Sequence, residues 1–84
     1  MDSIVTVDRD AAKTTALLYL RDYGSKDIAT AVVEAGRARV EREHSEWVKV
    51  DEASLGRPDV DVHVETLRII VAQTRAVVEA LKAA

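Results

Sequence analysis

Val64, Leu67, Val71, Thr74, Val78 and Leu81 recur at alternating intervals of three and four residues, and this run constrains the fold more than any other feature of the chain. An α-helix turns once every 3.6 residues, so this spacing lays its members along one face. Ile70 and Val77 widen the stripe, and Arg68, Arg75 and Lys82 sit seven apart along its edge. A helix patterned in this way needs another helix against it, as in a bundle. We expect it over residues 60–83. Val60, Val62 and Val64 also alternate, which is the period of a strand, so residues 60–65 read as strand or helix, with helix preferred.

A second long helix is expected over residues 26–50, with Ser25 as its N-cap. Its seam is Ala29, Val33, Gly36, Val40, Trp47 and Val50, and Ile28, Val32 and Ala35 make a second apolar face beside the first half. Arg39, Arg42 and Glu46 lie opposite, and Arg39–Glu43 and Arg42–Glu46 have the spacing of i,i+4 ion pairs. Gly36 costs a helix interior ~1 kcal/mol relative to Ala. Close approach of another helix there is the simplest compensation. A first helix is expected over residues 10–23. It follows Asp8, a good N-cap, carries Ala12, Ala16, Leu17, Tyr19, Leu20 and Tyr23 on a broad apolar face, and stops at Gly24 as a left-handed C′ residue. Ser3 to Val7 reads Ser-Ile-Val-Thr-Val, a β-branched run that predicts a short strand at 3–7. No second strand accompanies it, so it would pair with another copy. Residues 51–59, with Gly56 and the only proline, form the one clear connection.

The core material is slight. Of 84 residues 48% are hydrophobic, but these are mostly Ala and Val, with one Trp, two Tyr and no Phe. Small side chains each bury little area, at ~25 cal/mol per Å². The absence of Cys removes disulfides and thiolate metal ligands. Association, or an unusually regular helical packing, remains as the remedy for a weak core, and association is favoured. The second helix has two apolar faces and one intrachain partner, which also points to association. The expected fold is therefore mainly α: a helical hairpin or three-helix arrangement with a short N-terminal β-strand, one domain over residues 1–84, completed by oligomerisation. Val33, Gly36, Val40 and Trp47 are expected to pack, within the chain or between copies, opposite Val64, Leu67, Val71, Val78 and Leu81. Trp47 reads as a core or interface anchor.

The net charge of −3 gives no bulk attraction to nucleic acid or to an anionic membrane. No apolar run approaches the ~20 residues that span a bilayer. Met1-Asp2-Ser3 does not open a secretory signal, so a cytoplasmic location is expected. The expected partners are copies of the chain, a dimer at the simplest, and another protein.

Glu41 and His44 form Glu-x-x-His, and residues three apart share a helix face. Over these residues the chain resembles encapsulated ferritins, short helical proteins that complete an iron site between subunits. The resemblance implies a metal held by Glu41 and His44. That family carries a further inward Glu about one helix earlier, where this chain offers only Asp10 and Asp22 near the ends of its first helix. His63, in Val62-His63-Val64-Glu65, gives the His-x-Glu of zinc deaminases without their Cys ligands, so a partly buried or interfacial His is the plainer reading. Glu41, His44 and His63 are the metal candidates, and a solvated charged face is the alternative to them. No Gly-x-Ser-x-Gly, phosphate loop or nucleophile–base spacing is present, so neither an enzyme nor a cofactor is expected.

Residues 3–43 run strand, helix, Gly-containing turn, helix: Ile4-Val5-Thr6-Val7, a helix ending at Tyr23-Gly24, then Ser25-Lys26-Asp27-Ile28. In this order the chain resembles ribbon-helix-helix DNA-binding proteins. That resemblance implies an obligate dimer whose paired strands enter the major groove, and many such regulators are antitoxins with a toxin-binding extension. The strand, however, offers no Arg, Lys, Asn or Gln to read bases, Asp2, Asp8 and Asp10 surround it, and the second helix is longer than such proteins use. The leading expectation is a non-enzymatic helical homo-oligomer acting as a small protein-binding or structural module. A ribbon-helix-helix-like regulator or antitoxin and an inter-subunit, ferritin-like metal protein are the alternatives.

Overall fold

The computed structural model describes residues 5–53 and 57–84. Three helices account for nearly all of them: α1 (Arg9–Tyr23), α2 (Lys26–Ala53) and α3 (Pro58–Ala83). Each boundary has a local cause. Asp8 caps α1, its side chain accepting from the Ala11 N–H at 2.9 Å. Gly24 ends the helix with φ +69°, and its N–H donates to the Leu20 carbonyl. Only glycine adopts that left-handed conformation without steric cost. Ser25 then starts α2, its Oγ accepting from the Ile28 N–H. Pro58 occupies the first turn of α3, where its missing N–H costs nothing, and Asp59 and Asp61 favour the positive end of the helix.

Residues 60–65 are helical, so the alternation of valines there does not mark a strand. The long helices extend slightly beyond expectation, α2 to Ala53 and α3 from Pro58. The strand expected at 3–7 is not found: among the described residues there is none, and Val5–Val7 lead into α1 without regular pairing. Ser3 and Ile4 lie outside the described residues. The backbone at Asp8 is held instead by the side-chain amide of Gln73, whose Oε1 accepts from the Asp8 N–H at 3.0 Å while its Nε2 donates to the Asp8 carbonyl at 2.7 Å. Val7 packs against the chain's own core. The ribbon of a ribbon-helix-helix dimer forms between two chains; in this one, Val5–Val7 carry no strand of their own.

α2 and α3 form an antiparallel hairpin. Glu34 meets Lys82, Glu41 meets Arg75 and Trp47 meets His63, so partners on α3 fall as positions on α2 rise. Lys26 closes one end, its ammonium donating to the carbonyls of Lys82 and Ala84 at 2.8 and 3.0 Å. These carbonyls have no partner inside the helix, and a cation suits the negative end of its dipole. α1 has 15 residues against 28 in α2 and 26 in α3, about 22 Å against about 40 Å. It therefore covers only half of the hairpin.

The covered half holds the main core: Ala12, Ala16, Ala29, Val33, Ala76, Val77, Val78 and Leu81, flanked by Val7, Tyr19, Leu20 and Ala80. Of the residues expected to pack, Val33, Val78 and Leu81 lie here. Leu67 and Val71 are buried in the two-helix half, where Val40, Trp47 and Val64 are half-buried. Thr74, the polar member of the stripe, satisfies its hydroxyl on the Ile70 carbonyl. Gly36 departs from expectation. It is exposed, and a Cβ built there would meet nothing within 4 Å, so no helix of the same chain approaches it.

The two helical-context glycines therefore predict opposite results. Gly36→Ala should raise the stability of the folded chain by ~0.5–1 kcal/mol through helix propensity alone. Gly24→Ala should lower it by ~1 kcal/mol or more, because Ala is forced to a positive φ. Urea denaturation followed by circular dichroism measures both.

Candidate interaction surface

Two surfaces of the hairpin carry the side chains that sequence reasoning singled out. The first is a polar depression between α2 and α3, lined by Val5, Glu41, His44, Ser45, Arg68, Val71, Ala72 and Arg75. Glu41 is its centre. One carboxylate oxygen accepts from the Nε of Arg75 at 2.8 Å and also from that guanidinium's second nitrogen, while the other oxygen accepts from Arg37 at 2.7 Å. Bracketing by two guanidiniums holds the Glu41 carboxyl below its ordinary range, Arg75 contributing most. Arg37 to Glu41 is an i,i+4 pair that starts two residues before the expected Arg39–Glu43 and five before the expected Arg42–Glu46, neither of which forms.

This arrangement does not suit a metal. The Glu41 carboxylate is already neutralised by two cations that would repel a third. Among the described residues no group of three or more His, Cys, Asp or Glu is placed to hold a metal ion. His63 does not reach the Glu41 carboxylate: it lies twelve residues before Arg75, the partner of Glu41 on α3, about 18 Å along the helix. Its ring packs edge-on against Trp47 instead, with centroids 4.6 Å apart and planes at 75°. The three metal candidates are thus split between an ion-pair network and an aromatic contact.

The second surface is apolar and continues the bed of α1. Ala76 and Val77 are each 6% exposed in the core that α1 seals. Seven residues earlier, two turns along the same face, Ile69 and Ile70 are 46% and 42% exposed, and Val62, a further seven before Ile69, is 67% exposed. On α2 the column that starts at the fully buried Ala29 passes through Gly36 and Glu43 to Val50, 42% exposed. α1 stops where Asp8 meets Gln73, and beyond that level the same faces lie open, with Trp47 half-buried beside them. A separate group, Leu17, Leu18, Tyr23, Ile28 and Val32, is exposed around the α1–α2 turn. Sequence reasoning placed Trp47, Val40 and Val50 on one seam but missed Ile69 as an exposed apolar residue and Gln73 as the anchor of α1. The heptad relation of Ile69 to Ala76 was the available signal.

At the hairpin tip Asp51 faces Asp61. One oxygen of Asp51 is shielded and finds no donor among the described residues. Two carboxylates can hydrogen-bond only if one carries a proton, so Asp61, together with partial burial, pushes the Asp51 carboxyl above its ordinary range.

The two acids therefore act on stability in opposite directions. Glu41, lowered in the fold, stabilises above about pH 4.5, and this contribution disappears as pH falls through its depressed folded value. Asp51, raised in the fold, favours folding below about pH 3.8, and this contribution is lost as pH rises through its elevated folded value. Asp51→Asn keeps the donor without the charge. It should raise the urea midpoint at pH 7 and give no gain at pH 3. Glu41→Gln should lower the midpoint at pH 7 and converge on wild type in acid. In comparisons with known proteins, no family model matches the chain, and no curated protein or solved structure matches it.

Proposed function

We propose that the chain works as a non-enzymatic homo-oligomer, a dimer at its simplest, that serves as a small protein-binding or structural module of the cytoplasm. The observation that carries this reading is which apolar residues are outside. Leu17, Leu18, Tyr23, Ile28, Val32, Val50, Val62, Ile69 and Ile70 are exposed, whereas Leu81 is the only large side chain among the described residues that is fully buried. All three described isoleucines lie on the surface, yet Ile is among the residue types most often buried. Large contiguous apolar surface on a small domain marks an interaction site.

The polar depression supports binding rather than chemistry. Its one acid, Glu41, is held between Arg37 and Arg75, and no hydrogen bond joins His44 to Ser45 among the described residues, so the two do not form a nucleophile–base pair. No helix among the described residues is long and apolar enough to cross a membrane.

Sedimentation velocity at micromolar concentration should give a species of at least twice the 9.2 kDa chain mass. A monodisperse 9.2 kDa monomer that melts cooperatively overturns the proposal.

A further inference from the structure

We infer that the half of the hairpin left open by α1 is the dimer surface, and that a second copy packs its own open half there antiparallel to the first, making a central four-helix section. The inference deepens the oligomeric reading and rests on it.

Three observations choose this surface and this orientation. The first is continuity. Val62, Ile69 and Ile70 prolong the face of α3 whose next turns, Ala76 and Val77, are already sealed by a helix. Val50 prolongs the α2 column that begins at Ala29. A hairpin laid on this stretch meets the same kind of face that α1 meets, and the uncovered length is by construction the same on both copies.

The second is area. Half of the 46 Å long axis by the 22 Å width is a footprint of about 500 Å² per copy, or about 1,000 Å² for the pair, the smallest area at which a specific interface is expected. Beside the turn, Leu17, Leu18, Tyr23, Ile28 and Val32 are interrupted in sequence by Arg21, Asp22, Lys26 and Asp27.

The third is charge. Residues 43–65, the tip half, carry seven acidic side chains and two basic ones, Lys49 and Arg57. Residues 37–42 and 66–75, which flank the middle of the molecule, carry five arginines and one acid, Glu41; Arg37 and Arg75 are held by Glu41 and Arg68 by Glu65, which leaves Arg39 and Arg42 to face a partner. Among the described residues Arg39 and Arg42 make no ion pair, and Asp51, Glu52 and Asp61 have no cation partner. An antiparallel copy brings its acidic tip to the arginine band of the first, whereas a parallel copy sets tip on tip and band on band. The antiparallel pairing is the self-complementary one.

The chain contains no cysteine, so single introduced cysteines report geometry directly. Thr66 lies midway between Val62 and Ile70. In the antiparallel dimer Thr66→Cys should oxidise to a covalent dimer, and a mixture of Val62→Cys with Ile70→Cys chains should cross-link as a heterodimer in preference to either homodimer. Leu18→Cys should remain uncross-linked. Ile69→Glu with Ile70→Glu should convert the dimer to a monomer of unchanged helix content in sedimentation and circular dichroism, while Leu17→Glu with Leu18→Glu leaves it dimeric. Preferential V62C and I70C homodimers would overturn the antiparallel orientation. A wild-type oligomer dissolved by the Leu17 and Leu18 substitutions but not by those at Ile69 and Ile70 would overturn this surface and leave the oligomeric reading standing. A wild-type monomer would sink both. A monomer further destabilised by deletion of residues 1–4 would assign the open face to the chain's own N-terminus.

Discussion

The fold depends on how closely α1 lies on the hairpin, and alanine sets that distance. Ala12 and Ala16 of α1 are buried with Ala29 of α2 and Ala76 of α3, and Ala80 flanks them. Side chains this small let helix backbones come close, and the gain is contact over a long line rather than bulk. The cost is that little apolar area is buried per residue. Val33, Val77, Val78 and Leu81 supply most of what is hidden at that end. At the other end α2 and α3 shelter Val60, Leu67 and Val71, and among the described residues Ile69 and Ile70 stay exposed. The amide of Gln73 fixes where the first regime gives way to the second, because it holds the residue that begins α1.

Much of this was legible before any coordinates. The spacing of Leu67, Val71, Val78 and Leu81 identified α3 and its buried face. Asp8, Gly24 and Ser25 marked their helix ends because capping chemistry is local and a few residues decide it. The apolar excess of α2 was likewise visible. Misreadings came where a local signal met a distant partner. Val5, Thr6 and Val7 have the composition of a strand, but extended backbone is also what leads into an N-cap, and Gln73, more than sixty residues away, holds the backbone of the cap residue Asp8 that follows them. Gly36 suggested a close neighbour and has none among the described residues. The i,i+4 rule found two ion pairs on α2, yet Glu41 chose Arg37 because Arg75 of α3 was there to complete the bracket. Residues of one helix do not reveal what the facing helix offers.

The candidate site shows the same limit. Glu41 and His44 share a face, as their spacing required, but the face holds arginines too. A metal motif is a statement about donors, and the structure adds the competing cations. Trp47 and His63, both noted singly, meet each other across the hairpin, which gives the two-helix half its one aromatic anchor.

The connection of α1 has a consequence for the order in which the molecule assembles. α1 lies more extensively on α3 than on α2, although α2 follows it directly in the chain. Its fixing contact joins Asp8 to Gln73. A growing polypeptide would therefore present α1 and α2 long before the surface that α1 needs exists, whereas α2 and α3 can zip from their shared turn as soon as both are made. Loop closure makes such distant docking the slow step relative to hairpin formation. The earliest helix to emerge is thus the last to find its place, and its alanine face stays wet until the final turns of α3 arrive.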